Sequence, residues 1–185
     1  MKIQNYRATF RGVRRLLFDR YAGDNNTSLP PESKMYMDES GGLVIPAENL
    51  FSMMAAENTK SAAKVFYGKK WRDIAHGVNT FTSIPDATIP LRDDTGAQIT
   101  WGGEWTDQIS LHKSVARLAK GVPNPKERPC VAMPWHIEFD ISLVDNDKLS
   151  GEALKTLLAQ CGQLGLGTYR PIFGQFVLDE WQKLN

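Results

Sequence analysis

Trp135 to Gly174 reads WHIEFDISLVDNDKLSGEALKTLLAQCGQLGLGTYRPIFG, and the residue pattern changes period twice along it. Trp135, Ile137, Phe139, Ile141 and Leu143 alternate with His136, Glu138, Asp140 and Ser142, the two-residue period of a strand with one buried face. Asp145-Asn146-Asp147 turns the chain. Ser150 is placed to cap a helix with Glu152 in its first turn. Leu154, Leu157, Leu158 and Cys161 then fall at i, i+3, i+4 and i+7 on that helix's buried side.

The helix runs into a loop with glycines at Gly162, Gly165, Gly167 and Gly174, and the same loop carries Tyr169 and Arg170. Glycine reaches positive φ at little cost and lets two backbones approach closely. A ring that stacks on a base and a guanidinium that forks onto a phosphate suit single-stranded nucleic acid. The plainer alternative is that Gly162 ends the helix as its C′ residue. The dinucleotide fingerprint is excluded, because the glycines follow a helix and precede a strand, and Arg170 stands where a third glycine is required. Gln175 to Trp181 reads as the closing strand.

Upstream, Tyr6, Ala8 and Phe10 alternate with Arg7, Thr9 and Arg11, a half-buried strand with a basic outer face, and Gly12 permits a bend before Val13-Arg14-Arg15-Leu16-Leu17-Phe18. A polar, proline-marked loop follows from Ala22 to Pro31. Lys34 to Glu39, Gly41-Gly42 and Leu43-Val44-Ile45 then form a short hairpin. Pro46 fits a first helical turn, and Leu50, Met53, Met54 and Glu57 continue at helical spacing, with Ala62, Ala63 and Phe66 extending the helix. The methionines read as core filler.

Val78 to Thr82 reads as a strand. Ile89-Pro90-Leu91 and Gln98 to Trp101 flank a turn at Asp93-Asp94-Thr95-Gly96, so residues 85–107 read as a hairpin projecting from the body with Trp101 and Trp105 exposed. Ile109 to Leu118 is a second basic strand through Lys113 and Arg117, and Gly121 to Pro129 is loop.

The order is strand, helix, strand, strand, helix, strand. It predicts an α+β, ferredoxin-like (RRM-like) βαββαβ antiparallel sheet with both helices on one face. With 185 residues the expectation is one domain over 1–185, with insertions at about 19–45 and 85–107. No apolar run approaches the ~20 residues of a membrane span and the first residues lack a signal-peptide core, so a cytoplasmic location is expected. Cys130 and Cys161 form no metal-spaced pair and are expected as reduced thiols.

The net charge of +1 hides segregation. Residues 1–22 carry Lys2, Arg7, Arg11, Arg14, Arg15 and Arg20 against Asp19, and residues 60–72 carry Lys60, Lys64, Lys69, Lys70 and Arg72 against no acid. Residues 138–152 carry Glu138, Asp140, Asp145, Asp147 and Glu152 against Lys148. A basic face for a polyanion and an acidic face for a neighbouring subunit follow, if the basic segments converge.

Three stretches resemble the RAMP superfamily of CRISPR effector proteins, particularly the backbone subunits that line a guide RNA. They are Arg11-Gly12-Val13-Arg14-Arg15-Leu16-Leu17, Gly42-Leu43-Val44-Ile45-Pro46-Ala47-Glu48-Asn49-Leu50 and Gly162 to Gly174. In that family, subunits polymerise along the guide, basic residues grip its backbone, and a β-hairpin thumb reaches over the strand. The resemblance implies that Arg11, Arg14 and Arg15 contact phosphates, that residues 85–107 form the thumb, and that Tyr169 and Arg170 line the strand. Lys60, Lys64, Lys69 and Lys70 join the nucleic-acid surface. The implied partners are single-stranded guide RNA, copies of this chain and other effector subunits, with no cofactor. The chain departs from the family in being shorter and in lacking the serine-rich and basic opening of the first helix, where Pro46-Ala47-Glu48-Asn49 stands. A virus-borne relative that assembles with or interferes with a host complex, without holding RNA, is the non-enzymatic alternative.

Catalysis has few candidates. Some RAMP subunits cleave target RNA with an aspartate after the first strand, and Asp19, Asp24 and Asp38 are the acids for that place, isolated loop aspartates being otherwise turn formers. His136 and Glu138 share a face but lack the cysteine half of a zinc-deaminase signature, and His76 and His112 sit in no motif, so no metal site is expected.

Overall fold

The computed structural model describes residues 2–24, 26–117, 121 and 123–184. Its largest sheet is antiparallel with order β4-β8-β1-β9, built from β1 (Ile3–Gly12), β4 (Thr82–Ser83), β8 (His136–Val144) and β9 (Phe176–Leu184). Four helices, α1 (Ala47–Ala55), α2 (Ala62–Phe66), α3 (Trp71–Phe81) and α4 (Gly151–Leu164), cover one face. The topology is ferredoxin-like. Tyr6, Ala8 and Phe10 of β1 and Ile137, Phe139, Ile141 and Leu143 of β8 lie under the helices, as their alternation predicts. Phe10 stacks on Phe176 at 4.2 Å between centroids and Tyr6 on Trp181 at 4.5 Å, fixing β9 against β1 across a bulge at Thr9/Phe10.

A second sheet, β2-β7-β6, contains β2 (Leu16–Leu17) and a long hairpin of β6 (Ile109–Arg117) and β7 (Pro123–Val131). The hairpin expected within 85–107 does form, with Arg92 opposite Gln98 and a turn over residues 93–96, but it does not project from the body, and the longer paired strands are β6 and β7. Residues 88–101 instead fold onto the body. Of these, β5 (Thr88–Pro90) pairs with β3 (Val44–Pro46), Arg92 exchanges backbone hydrogen bonds with His136, and Ile89, Leu91 and Ile99 are buried. Buried apolar side chains at alternate positions hold this segment down. Trp101 is half-buried beside Trp105, their rings 4.7 Å apart, and Trp105 stays 37% exposed.

The strand expected at 78–82 is helix up to Phe81. Trp71, Ile74, Ala75 and Val78 follow helical spacing, and packing of that stripe overrides the β-propensity of Val78 and Thr80. The helix expected through 47–66 is broken, because Ala56 and Ser61 take extended backbone, giving α1 and α2 as separate elements.

Residues 123–129, read as loop, are strand despite three prolines. Pro123, Pro125 and Pro129 share one parity, and the carbonyls of Glu127 and Pro129 on that parity face away from β6, toward Lys34 Nζ and the Phe18 N–H. The missing N–H groups thus lie on the edge that needs no ladder donor. Leu118, the predicted end of the strand, and Val122, within the predicted loop, lie outside the described residues, as does the side chain of Arg117.

The Ser150 hydroxyl accepts from the Ala153 N–H at 3.2 Å, as a cap should, but α4 runs past Gly162 and ends at Gly165, whose φ is 85°. Gly162 serves close packing, since a Cβ there would collide with the carbonyl oxygen of Phe176. Both cysteines are buried free thiols.

Two predictions follow from these contacts. Helix propensity alone makes Gly162→Ala stabilising by about 1 kcal/mol, whereas the collision makes it destabilising by about 1–3 kcal/mol. Urea unfolding should show the second sign, with Gly102→Ala, which has open space around it, near wild type. Asp38 accepts from the Ser40 hydroxyl, the Gln98 amide and the Gly42 N–H, which hold its carboxyl down to about 2. A carboxyl with a lower pKa folded than unfolded stabilises fully above the unfolded value near 4, and loses that contribution as pH falls toward 2. Thermal unfolding should show a deficit for Asp38→Ala at pH 6 that shrinks between pH 4 and pH 2.

Candidate nucleic-acid interface

The loop after α4 is bound to the strip of chain leaving β1. The Thr168 N–H donates to the Leu17 carbonyl at 3.0 Å, the Gly174 N–H to the Arg15 carbonyl at 2.8 Å, and the Leu166 N–H to the Gly174 carbonyl at 2.9 Å. A side chain at Gly167 would strike the Leu17 carbonyl and one at Gly174 the Leu166 carbonyl, and both have positive φ. The glycines therefore serve close approach to the protein's own backbone, which leaves Thr168 to Ile172 looped outward.

Tyr169 is the non-glycine residue with positive φ, 54°, among the described residues. The Arg128 guanidinium lies 4.6 Å from its ring centroid and donates through Nε to Asp19 Oδ2 at 2.7 Å. The Arg128 side chain is only 8% exposed against 30% for Asp19, so this ion pair is largely desolvated. Sequence reasoning missed Arg128, whose partners are distant in the chain and whose segment read as loop.

Two clefts meet under the loop. One, of about 530 Å³, lies between Lys60 and Val65 on one side and Tyr169, Arg170 and Pro171 on the other. The second, of about 250 Å³, is walled by Asp19, Asn49, Ser52, Thr168 and Arg170. Gly167, Thr168 and Arg170 border both, so they form one groove. It offers two cations, an aromatic ring, neutral hydrogen-bonding side chains and the Asp19 carboxylate. Arg170 is exposed and makes a long 3.5 Å approach of Nη1 to the Gly165 carbonyl.

The structure brings Lys60, Tyr169 and Arg170 together and places Arg15 on the other flank of the loop. The Arg15 guanidinium is 5.8 Å from the Phe173 ring centroid, and His112 meets the same ring edge-on at 5.0 Å. Burial, then the charges of Arg15 and Arg128, lower the His112 pKa, so this imidazole is neutral at neutral pH. Arg14 is exposed, while its backbone is held by the Trp135 Nε1–H at its carbonyl and by the Gln175 carbonyl at its N–H.

Other expected residues lie elsewhere. Arg11 is on the open face of the large sheet, 3.3 Å from Asp179, and Arg7 beside it pairs with Asp140 at 2.7 Å. Cross-strand register adds Glu138 and Glu180 opposite Thr9, so this face is net acidic and repels a polyanion. Lys64 donates to the Glu57 carbonyl and lies 5.0 Å from the Trp71 ring centroid. Lys69 and Lys70 are exposed in the 3-10 turn Gly68–Lys70 and line neither cleft.

Of the three candidate acids, Asp19 alone lines the groove. The Asp24 carboxylate is engaged by Asn26 and Thr27 and that of Asp38 by its own turn. Among the described residues no three His, Cys, Asp or Glu side chains gather as a metal cluster. His136 and Glu138 do share a face, as predicted.

No family model matches the chain, and no curated protein matches it. The fold has counterparts among solved structures, where 72 chains match. One belongs to the cryo-EM structure of the Type III-B Cmr-beta bound to cognate target RNA, with a TM-score of 0.62 at 12% identity. The superposition covers 100% of this chain and 61% of that one, so the chain spans about three-fifths of the solved chain it matches. At this identity the likeness establishes the fold alone, an antiparallel sheet under helices.

Proposed function

We propose that this chain binds the sugar-phosphate backbone of a single-stranded guide RNA, without catalysis, as a repeated subunit of a CRISPR-type ribonucleoprotein in the cytoplasm. The observation that carries it is the meeting of Lys60, Tyr169 and Arg170 around one groove, from segments more than a hundred residues apart. The solved chain of like fold comes from an assembly that holds RNA, which adds support. Lys60 and Arg170 neutralise phosphates, and the polar wall at Asn49, Ser52 and Thr168 supplies neutral donors. Copies of the chain and other effector subunits are the protein partners, with the acidic sheet face available to them.

A metal-dependent endoribonuclease is the second reading, and the observation in its favour is Asp19 in the groove wall. The Arg128 guanidinium already holds that carboxylate, which fits a positioning role better than a nuclease role. Labelled RNA incubated with Mg²⁺ should therefore stay intact. Cleavage that disappears in Asp19→Ala would reverse the order of the two readings.

Binding itself is tested by the protein as purified. Its 260/280 nm absorbance ratio should exceed that of protein alone, and a ratio of protein alone would favour an assembly or interference role without RNA. The double change Lys60→Ala, Arg170→Ala should weaken binding of every RNA sequence alike and reduce the salt slope by about 1.4 for two lost single-strand phosphate contacts. Lys69→Ala, Lys70→Ala should leave both unchanged.

A further inference from the structure

The groove does not end at Asp19. On its far side, Asp19 also borders a cleft of about 270 Å³ walled by Arg20, Tyr21, Lys34 and Lys126, and Lys34 and Lys126 continue into another along the hairpin. These clefts lie between the 20–34 excursion and the edge of β7 that faces away from β6. β2 pairs with this edge at Cys130 and Val131, and along the rest of it Pro123, Pro125 and Pro129 remove N–H groups that a regular ladder would need. Tyr21 is 62% exposed and Arg20 is exposed beside it. The acids nearby are already engaged: Asp19 by Arg128, Asp24 by Thr27 and Glu127 by Lys113. Three cations and an exposed ring therefore face a trough in which Asp19 and Glu127 are ion-paired, while Asp24, held by Thr27, keeps its charge.

We infer that Arg20, Tyr21 and Lys126 form a second subsite for single-stranded nucleic acid, continuous with the groove under the glycine loop and occupied by the same strand. The inference rests on the RNA-binding reading and extends it to residues outside that groove. Tyr21 supplies a stacking platform, Arg20 and Lys126 take phosphates, and a strand entering at Lys60 passes Asp19 to reach them. Two contacts fix the trough. The Arg20 N–H donates to the Lys34 carbonyl at 3.0 Å, closing the excursion at its base, and Lys34 Nζ donates to the Glu127 carbonyl at 2.7 Å, tying it to the hairpin. Arg128 is the positioning residue at the junction, since it belongs to β7, holds Asp19 and lies under Tyr169.

The test uses the full chain and a series of labelled oligouridylates of increasing length, with Arg20→Ala, Tyr21→Ala, Lys126→Ala as the variant. Lys34 is kept because its ammonium holds the hairpin. Circular dichroism and melting confirm that the variant folds. On the longest oligomers the variant should lose about tenfold or more in affinity and about 1.4 in salt slope, while the shortest oligomers that bind should be held as in wild type. Oligouridylate carrying 4-thiouridine should also crosslink to wild type within residues 20–34. A variant that matches wild type at every length, with crosslinks confined to the glycine loop, overturns the second subsite and leaves the RNA-binding reading standing. A wild-type chain that binds no oligomer at any length overturns both.

Discussion

The seven residues from Gly12 to Phe18 are the joint on which this molecule is assembled. They carry the chain from the large sheet to the small one, and hydrogen bonds on both sides hold them. The odd-numbered carbonyls of Arg15 and Leu17 accept from the glycine loop, while Leu16 and Leu17 pair with Val131 and Cys130, and Phe18 donates to Pro129. Trp135 closes the joint from below, with its Nε1–H on the Arg14 carbonyl and its ring over Gly12, where any Cβ would overlap it. Loop, hairpin and sheet therefore share one strip of backbone. A buried backbone left without these partners would cost on the order of 1–3 kcal/mol per group, so the loop cannot move off this strip without exposing it.

That constraint decides where cations gather. Each flank of the loop inherits cations from elements the joint brings near: Arg15 on one side, Lys60 and Arg170 on the other. The open sheet face is neutralised by its own register, Arg7 opposite Asp140 and Arg11 beside Asp179. Exposed pairs like these contribute little to stability. Their effect is on the surface potential, which they remove from the one face where strand alternation alone would place a basic stripe.

Elements whose signal is local were legible in the sequence. The alternation of β8 and the spacing of Leu154, Leu157, Leu158 and Cys161 on α4 need no partner to be read, and Ser150 caps its helix by a contact three residues away. The pairing of Arg11 with Asp179, 168 residues away, has no local signal to be read from. The prolines of β7 looked like loop because a strand tolerates them only on an unladdered edge, and which edge is free is a property of the sheet. The helix at 71–81 was hidden by β-branched residues whose preference packing overrode. At the site, Tyr169, Arg170 and Lys60 were legible as residue types, whereas Arg128 and Tyr21 acquire meaning only from what the fold sets beside them.

Tyr169 shows how the joint and the site are coupled. A non-glycine residue at φ 54° costs about 1 kcal/mol or more, and its neighbours Gly165 and Gly167 show that this loop has access to the cheaper choice. What a glycine would lose is the ring. Over a guanidinium that is almost wholly withdrawn from water, a tyrosine face contributes up to about 2 kcal/mol, comparable with the strain. The same guanidinium would otherwise be a buried cation with Asp19 as its single carboxylate partner. Strained loop, buried arginine and groove aspartate are thus mutually dependent, and through Arg128 on β7 the position of the hairpin is tied to the shape of the groove.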